Sequence, residues 1–438
     1  MAKRAVLVLG GGVAGSAAAL MLARRGHQVT LVERDPMAPL SLPDMLAAPR
    51  RGVPHFQLPH AFLPGAWLRL RTELPDVADL LLANGADPID LRAKLPGEPI
   101  AQDADLVMLA VRRPVIEWAL RQAVAEEPGV TVRDDVHIRE LPPGDLVIDA
   151  MGRRSPLRAL VGAEPLEVTD CGVVYYARYY RLRHGFDLPD GRWLWGPRGD
   201  LGYLGYATFP GDNRTFATLL AVPPGAHEWR ALNDPRVYEA AVAQIPALAS
   251  WADPTGVEPI TDVMPMAGLR NSIEVKPGPA HVIPVGDAVV HTDPLLALGL
   301  TLSLTHATVL TAGLDEHADV GDASAAYRAE VMPEARSRFD LASALDEQRL
   351  RMWTGHDVDL TSPDRNYELF SMVASGAAAL VDPDVFRVFI RRISGLDPTS
   401  VLDDDAAMKQ RIADIFATML AARPPVPTRT EFLARATS

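Results

Sequence analysis

The sequence predicts an α/β fold: a Rossmann-type nucleotide-binding domain, an inserted β-sheet domain and a C-terminal helical region. Three observations predict it. Strand and helix patterns alternate through the first third of the chain, which is typical of a parallel sheet covered by helices. Strand-like runs separated by turn residues follow from about Glu167, and helical patterns dominate after Asp319.

The composition is that of a globular protein. With 438 residues, 48% hydrophobic and 23% charged, the chain is long enough for two or three domains. A formal net charge of −13 argues against a nucleic-acid partner, because phosphate binding needs basic patches. No uninterrupted apolar run reaches about 18 residues, so we expect no membrane span. The single cysteine, Cys171, excludes an intrachain disulfide and a cysteine-based zinc site, so we expect a cytoplasmic protein. No H-x-x-x-H spacing occurs either, so we expect no metal.

The first third of the chain begins with a glycine turn. The predicted elements around it are the strand Ala5–Leu9, the helix Ser16–Arg25 and the strand Gln28–Val32. Gly10, Gly12 and Gly15 form G-x-G-x-x-G, which gives a tight turn, close backbone approach to a diphosphate and close packing of helix on strand. Glu33, at the end of the second strand, is placed to accept hydrogen bonds from ribose hydroxyls. A diphosphate dinucleotide is therefore predicted, and a ligand-free glycine turn is the alternative.

A second turn of this kind lies far along the chain. The strand His281–Val285 is followed by Gly286 and Asp287, and Gly299 precedes the apolar helix Leu300–Ala312. Asp287 is placed to bind the hydroxyls of a ribityl chain, or it is an ordinary helix N-cap. Two such turns suit a long cofactor such as FAD better than a nicotinamide dinucleotide held by one βαβ half.

Weaker helix and strand patterns occur in the segments between the two glycine turns. Residues 36–63 form a long excursion without a period, and the further elements predicted before residue 166 are the helix Trp67–Asn84, the strand Leu106–Val111, the helix Val115–Ala125, a strand and short loop over 130–138, and the strand Asp145–Ala150. The inserted sheet is predicted from the strands Val173–Leu182, Arg192–Trp195, Leu201–Phe209 and Thr215–Val222. Six of the nine tyrosines lie between Tyr175 and Tyr206, where they either form an aromatic floor for a substrate or fill a core.

The C-terminal helices are predicted over Ala323–Asp346, Tyr367–Ala379, Pro383–Ile393 and Asp404–Ala422, and the proline-rich residues 422–430 are predicted to be a loose tail. This region is a cap, a wall of a substrate tunnel or a dimer surface. The predicted domains are 1–165, the first part of the FAD-binding domain with a substrate-facing excursion at 64–105; 166–260, the β-sheet substrate domain; 261–335, the second part of the FAD-binding domain; and 336–438, the helical region.

Three motifs carry a family resemblance: GGGVAG at 10–15, DAMGRRS at 149–155 and GDAVVHTDP at 286–294. In order and spacing they resemble the FAD-dependent monooxygenases of the aromatic-hydroxylase superfamily. More narrowly, the segments RRGVPHFQLPHAFL, VRRPVIEWAL and MWTGHDVDL are similar to the actinobacterial polyketide epoxidase and hydroxylase branch. The resemblance covers nearly the whole chain, from Val6 to about Ala413.

The resemblance implies an enzyme that binds FAD, reduces it with NADPH or NADH, directly or through a separate flavin reductase, and reacts it with O₂. Hydroxylation or epoxidation of an apolar or aromatic natural-product intermediate would then proceed through a C4a-hydroperoxyflavin. The predicted cofactor-binding residues are Gly10, Gly12, Val13, Ala14, Gly15 and Glu33 at the ADP half, Arg34 near the adenine, Arg50 and Arg113 near the flavin phosphates or ring, Ile138, Gly286 and Asp287, and Pro294, Gly299 and Leu300 beside the isoalloxazine.

Two departures from the family pattern bear on the chemistry. Met151 stands where aromatic hydroxylases carry aspartate, which makes reduction by a separate reductase compatible with the sequence. Residues 294–300 read PLLALGL where the branch has P-V-Y-G-Q-G-M, so this wall is more apolar and stiffer. Such a wall either protects a hydroperoxide or belongs to a flavin dehydrogenase or oxidase.

His60 and His291 are the candidate catalytic residues, as general acid or base, with packing or cofactor contact as the alternative. A flavin halogenase is disfavoured, because Trp193-Leu194-Trp195 matches only the start of the W-x-W-x-I segment of those enzymes. A protein that keeps FAD as a structural or sensing ligand is the non-enzyme alternative. A monomer and a homodimer are both compatible with the sequence.

Overall fold

The computed structural model describes residues 3–187, 196–422 and 426–437. The strands before residue 166 are β1 (Ala5–Leu9), β2 (Gln28–Val32), β3 (Asp87–Asp90), β4 (Val107–Ala110), β5 (Val130–Arg133) and β6 (Val147–Asp149). The helices before residue 166 are α1 (Val13–Arg24), α2 (Leu42–Ala47), α3 (Pro64–Glu73), α4 (Pro75–Ala83), α5 (Arg113–Glu126) and α6 (Leu157–Leu160).

The second part of the chain contributes the other sheets and the long helices. Its strands are β7 (Glu167–Asp170), β8 (Val174–Leu182), β9 (Arg198–Asp200), β10 (Gly205–Pro210), β11 (Thr215–Val222), β12 (Val257–Pro259), β13 (Met264–Met266), β14 (Arg270–Ile273), β15 (Val282–Pro284) and β16 (Val290–His291). Its helices are α7 (Pro235–Ala243), α8 (Gly299–Glu316), α9 (Val320–Trp353), α10 (Tyr367–Ala378), α11 (Pro383–Ile393), α12 (Ala406–Ala421) and α13 (Arg429–Thr437).

The central element is a five-stranded parallel sheet in the order β15-β6-β1-β2-β5. Helix α1 follows the middle strand and is buried from Val13 to Ala23, where it packs against α8. Small side chains make this possible, because the run Ala17–Ala19 lets two helix backbones approach closely. The structure confirms the predicted fold class: a Rossmann-type sheet, an antiparallel sheet and C-terminal helices.

Three further sheets surround this one. The largest is antiparallel, in the order β12-β8-β11-β10-β9, with β13 also paired to β8. Another sheet has three strands, in the order β16-β14-β7. The predicted strand at 106–111 exists as β4, but it pairs antiparallel with β3 in a two-stranded sheet rather than joining the alternating parallel elements. The prediction of a strand was therefore right, but the expected parallel pairing was wrong.

Several predicted boundaries were wrong for local reasons. The helix expected over 67–84 is two helices, because Pro75 has no N–H to continue α3 and begins α4 instead. The strand expected over 201–209 begins only at Gly205, after a turn in which Gly202 donates its N–H to Asp200. The predicted strand 192–195 lies outside the described residues.

The C-terminal prediction was right for four helices and wrong for the last two residues of the predicted loose tail, Arg429 and Thr430. Helix α9 runs on to Trp353, and the predicted domain boundary between 335 and 336 falls inside it. Part of the expected loose tail is helix α13, which packs on α7 and buries Phe432; residues 423–425 lie outside the described chain. The division into domains stays a prediction. None of the described helices is long and apolar enough to cross a lipid bilayer.

Candidate functional site

One cavity of about 520 Å³ lies at the carboxyl ends of the parallel strands, between the two predicted glycine turns. Every predicted site residue lines it except Gly15 and Gly286, which pack beneath their own turns. His60 and His291 line it as well. The structure therefore brings together residues that are almost 300 positions apart in the sequence.

The three glycines of the first turn differ in what they do. A side chain on Gly15 would lie 1.8 Å from the Gly10 carbonyl oxygen, and one on Gly10, which has φ +103°, would lie 2.5 Å from the Ala150 carbonyl oxygen. Gly12 has no atom within 4 Å of the position of an added Cβ. Gly10 and Gly15 are therefore needed by the fold, whereas Gly12 keeps open the space in front of the N-terminus of α1. That space fits a diphosphate, because the helix start has no side-chain cap and its N–H groups are available to anions.

Glu33 holds the first turn together. Its Oε2 accepts the Gly11 N–H at 2.6 Å, and its Oε1 accepts the N–H groups of Arg34 and Asp35 at 2.8 and 3.0 Å. The carboxylate also lines the cavity at the end of β2. Contact with a ribose stays a prediction, and the structure adds a second role, that of fixing the glycine backbone.

Arg50 and Arg113 reach the cavity, but carboxylates already bind them. The buried Arg50 guanidinium lies 2.7 Å from Glu117, 3.0 Å from Asp35 and 3.5 Å from Glu33, and Arg113 lies 2.8 Å from the same Glu117. Burial alone would lower the pKa of Arg50, but these carboxylates hold it above its ordinary value. The sequence expected both arginines to face the cofactor phosphates or ring, and that contact stays a prediction. The charge of each is largely balanced inside the protein.

The two candidate histidines differ in how many of their ring nitrogens have a hydrogen-bond partner. Nδ1 of His60 lies 2.8 Å from the Leu58 carbonyl oxygen and Nε2 lies 3.3 Å from the Arg113 guanidinium. A carbonyl only accepts and a guanidinium only donates, so His60 is neutral with its proton on Nδ1. Burial, followed by the charge of Arg113, lowers the pKa of His60 to about 4. His291 donates from Nδ1 to Asp287 at 3.0 Å, and its buried Nε2 has no hydrogen-bond partner in the described part of the chain.

The second turn is stabilised by a hydrogen bond to His306, a residue that was not predicted from the sequence. Gly286, with φ +61°, donates its N–H to Nδ1 of His306 at 3.0 Å. Burial lowers the pKa of His306 to about 4, so the ring is neutral and Nδ1 accepts. Asp287 follows directly, and its pKa is held below the ordinary value, against the effect of burial, by His291 and its hydrogen bond. The turn thus presents an ionised carboxylate to the cavity.

Comparisons with known proteins bear on the fold that carries this cavity. Residues 5–40 match the family model described as FAD dependent oxidoreductase, and no curated protein matches the chain by sequence. PqsL, a probable FAD-dependent monooxygenase from Pseudomonas aeruginosa, is 17% identical and superimposes with a TM-score of 0.59 over 81% of this chain and 99% of that one. A variant of 2-methyl-3-hydroxypyridine-5-carboxylic acid oxygenase is 18% identical, with a TM-score of 0.57 over 81% and 94%. The flavin-dependent brominase Bmp2 is 15% identical, with a TM-score of 0.63 over 96% and 99%.

The fold is that of an FAD-dependent oxidoreductase.

In this FAD-dependent oxidoreductase fold, Arg153 is a lining residue that the sequence prediction left out. It follows Gly152 in the DAMGRRS turn, where a Cβ added to Gly152 would lie 3.7 Å from the Asp287 side chain. Arg153 is half-buried and lines the cavity together with Arg154, and neither forms an ion pair within the described residues. The motif was visible in the sequence, but the neutralisation of Arg50 and Arg113, which makes Arg153 stand out, was not.

A small apolar chamber of about 20 Å³ adjoins the cavity. Its walls are Tyr175, Ala177, Phe209 and Leu219 of the antiparallel sheet, with Leu58, Pro59, Met266, Pro294 and Leu295. Leu58, Pro59, Met266 and Pro294 also line the main cavity, so the two spaces share a wall. Of the tyrosines expected to form an aromatic floor, Tyr175 lines the chamber, whereas Tyr176 and Tyr180 pack into clusters on the other face of the sheet. Core filling therefore accounts for part of that tyrosine-rich stretch.

Cys171, Asp293 and Asp346 form a buried group whose ligand atoms lie within 4.8 Å of one another. The guanidinium of Arg349 lies 2.8 Å from Asp293 and 2.7 Å from Asp346, so a cation already faces both carboxylates. Burial raises the pKa of the Cys171 thiol far above its ordinary value, which makes it a poor metal ligand. The chemistry of this group therefore favours an internal ion pair over a metal.

Proposed function

We propose that this protein is an FAD-dependent monooxygenase that inserts one oxygen atom, by hydroxylation or epoxidation, into an apolar or aromatic natural-product intermediate. The observation that carries the proposal is a single cavity that is lined by both glycine turns and shares a wall with an apolar chamber. When bound, FAD supplies the electron transfer and the activation of O₂. The residues of the chain bind and orient the reactants and keep water out.

The cofactor would lie along the cavity from Glu33 to Leu300. The N–H groups at the start of α1 and the half-buried Arg153 would meet the two charges of the diphosphate, since Arg50 and Arg113 are already paired with carboxylates. Asp287 would bind hydroxyls of the ribityl chain. Pro294, Gly299 and Leu300 would lie beside the isoalloxazine. These contacts, and those of Arg34 and Ile138, are proposals from the lining of the cavity.

The ring side of the cavity is suited to chemistry that water would spoil. Met266, Leu298 and Leu300 line it, and the shared wall with the apolar chamber adds Leu58 and Pro294. Excluding water strengthens electrostatic interactions and prevents side reactions of reactive oxygen. An apolar substrate would gain about 25 cal/mol for each Å² of its surface that enters such a chamber.

Among the two candidate histidines, we propose His291 as the general acid or base. Its Nδ1–H is fixed by Asp287, which leaves the lone pair of Nε2 free, whereas His60 has both nitrogens engaged. A carboxylate that orients an imidazole and stabilises its charged form is an effective arrangement for proton transfer. His60 would instead position Arg113.

A flavin halogenase is the second candidate, because the brominase Bmp2 superimposes over 96% of this chain. The resemblance of the sequence to halogenases is weaker, since those enzymes need a lysine over the flavin tunnel. The four lysines of the chain are Lys3, Lys94, Lys276 and Lys409, and none is among the residues that line the described cavity. We therefore rank oxygen transfer first. A dehydrogenase or oxidase, and a protein that only senses FAD, remain alternatives for the same cavity.

NADPH or NADH, used directly or through a separate reductase, remains the predicted electron donor. The cytoplasmic location and a monomeric or homodimeric state remain predictions as well.

The deciding experiment uses the purified protein loaded with FAD and incubated under ¹⁸O₂ with candidate apolar polyketide and aromatic intermediates. NADPH, NADH and NADH with an added flavin reductase are the three reductant arms, each with and without bromide or chloride. The expected result is one ¹⁸O atom per product molecule, independent of halide. An oxidised product without ¹⁸O would assign a dehydrogenase or oxidase, and a halide-dependent product would assign a halogenase. FAD binding without substrate-dependent turnover would favour the sensing protein.

A matched pair of variants tests the histidine assignment in the same assay. His291→Gln removes the free Nε2, and His60→Gln removes the ring that contacts Arg113. We expect His291→Gln to lower the rate of product formation about a hundredfold at unchanged FAD stoichiometry. His60→Gln is expected to change FAD binding more than the rate. Equal rates in wild type and His291→Gln would contradict the assignment.

A further inference from the structure

Asp293 is a buried carboxylate at the cavity with several hydrogen-bond partners. It is 1% exposed, and its Oδ1 accepts the Tyr175 hydroxyl and, at 3.0 Å, the Leu295 N–H. Its Oδ2 accepts from Nη2 of Arg349 at 2.8 Å, and its own N–H donates to Asn271 at 2.7 Å. Both oxygens and the backbone of this one residue are therefore fixed.

The side chains that hold Asp293 come from three separate elements. Tyr175 is on β8 of the antiparallel sheet, Arg349 is on the long helix α9, and Asn271 is on β14. Asp293 itself precedes the short turn Pro294–Leu296 and the residues up to Gly299; of these, Pro294, Ala297, Leu298 and Gly299 line the cavity. We refer to residues 294–299 as the wall segment. Its start is thus held by the antiparallel sheet, the three-stranded sheet and the C-terminal helix α9.

Asp293, Arg349 and Asp346 form a buried cluster in which one carboxyl group must be protonated for the charges to cancel. Arg349 bears one positive charge and faces two carboxylates, Asp293 and Asp346, whose oxygens lie close together. Burial and the neighbouring Asp293 raise the pKa of Asp346, so Asp346 carries the proton and Asp293 the negative charge. Removal of the Arg349 charge would leave Asp293 buried and uncompensated, which is costly.

Tyr175 connects this cluster to the apolar chamber. Its ring lines the chamber with Ala177 and Leu219, while its hydroxyl donates to Asp293 on the far side. The chamber of about 20 Å³ admits only a small group of a bound molecule, such as a methyl, and a group that enters it contacts this ring. Pro294 and Leu295 of the wall segment line the same chamber, so the ring and the segment meet the same occupant.

We propose that Tyr175 and Arg349 are positioning residues that act through Asp293, so that the contents of the apolar chamber set how the wall segment meets the flavin ring. This inference rests on the proposed function, because it takes the wall segment to lie beside the isoalloxazine. It assigns the coupling between substrate and cofactor to a buried hydrogen bond and ion pair. Neither residue would touch the reacting atoms.

The first test compares Tyr175→Phe with Tyr180→Phe in the FAD-loaded protein. Tyr180 is a matched control, since it lies on the same strand, is equally buried and has a hydroxyl without a hydrogen-bond partner among the described residues. We expect Tyr175→Phe to shift the visible absorption and the reduction potential of bound FAD and to release FAD about tenfold faster, because a charge-assisted hydrogen bond is lost. Tyr180→Phe should change neither. Identical flavin spectra, potentials and release rates for the two variants would overturn the proposal.

A double-mutant cycle tests the coupling itself. Ala177→Val fills the chamber, and Leu219→Val, which enlarges it by one methylene, replaces it if the first variant does not fold. The shift in FAD reduction potential caused by the chamber variant should be at least halved in the Tyr175→Phe background. Equal shifts in both backgrounds would refute the coupling. Arg349→Lys, which keeps the positive charge, should change the FAD reduction potential less than Arg349→Met does. If Arg349 only filled space, the two variants would have the same potential.

These measurements use bound FAD without substrate or O₂. Failure of the ¹⁸O experiment would therefore remove the monooxygenase assignment and leave the positioning result intact. Equal flavin properties in the variants would remove only the positioning role.

Discussion

His306 is predicted to make the protein acid-labile through its contact with the second turn. The ring is 2% exposed, and Nδ1 accepts the Gly286 N–H at 3.0 Å, so protonation of this nitrogen would both bury a charge and remove an acceptor. Burial lowers the pKa of His306 from 6.5 to about 4. The unfolded chain therefore binds this proton more readily than the folded chain, and stability that is complete above pH 6.5 is lost as the pH falls towards 4.

The size of the effect follows from that shift in pKa. A difference of about 2.5 pKa units corresponds to about 3 kcal/mol once both states are protonated, and to about 2 kcal/mol at pH 5. His55 and His60 also have lowered pKa values and add to the slope of the wild type. A variant that removes only the titration of His306 isolates its share.

His306→Asn is that variant, because the asparagine Oδ1 occupies nearly the position of Nδ1 and accepts the Gly286 N–H without titrating. The free energy of unfolding is measured from urea curves at pH 7.5 and at pH 5. The variant should be less stable than wild type at pH 7.5, since it removes part of a buried ring. Its loss between the two pH values should be about 2 kcal/mol smaller than that of wild type.

The exposed His184 provides the control. His184→Asn should keep the full wild-type slope. Parallel pH profiles for wild type and His306→Asn would refute the argument, because they would show that His306 does not titrate differently in the folded and unfolded chain.

Three further predictions concern FAD. Gly12→Val should fold with near wild-type stability but retain little FAD, because its side chain enters the open space before α1. Gly15→Ala should instead lower the melting temperature, since its Cβ would meet the Gly10 carbonyl oxygen at 1.8 Å. The ratio of absorbance at 450 nm to that at 280 nm reports bound FAD, and thermal melts report stability. Arg153→Gln should weaken FAD binding about tenfold and flatten its salt dependence, and an unchanged salt slope in fluorescence titrations would contradict a contact with phosphate. Asp287→Asn should weaken FAD without unfolding the chain, and equal affinity in both would reduce Asp287 to a helix cap.

The parts that could be predicted from the sequence are those whose physics is local. The glycine turns, the strands beside them and the amphipathic helices each depend on a run of a few residues, and the structure confirms them. The strand at 106–111 also exists, but its pairing with β3 depends on residues about 20 positions away. Pro75 in the sequence indicates the break between α3 and α4, but the apolar periodicity that continues across it led to the prediction of one helix.

The candidate site was predictable as a set of positions and less so as a set of charges. Arg50 and Arg113 lie at the cavity as expected, but their neutralisation depends on Asp35 and Glu117, whose convergence only the fold reveals. The same holds for Arg349, whose partner Asp293 is 56 residues away. Burial and pairing of charges arise from tertiary contacts, and neither spacing nor composition records them.

Ala297 gives the wall segment a property that its sequence alone would not suggest. Its backbone is in the left-handed conformation, at φ +55° and ψ +23°, which costs a residue with a side chain about 1 kcal/mol and which the related branch pattern fills with glycine. A methyl group at this hinge removes most of the other conformations that glycine would sample. The loop is therefore stiff at its midpoint, so an occupant of the chamber would displace the wall segment as one unit rather than bend it at Ala297.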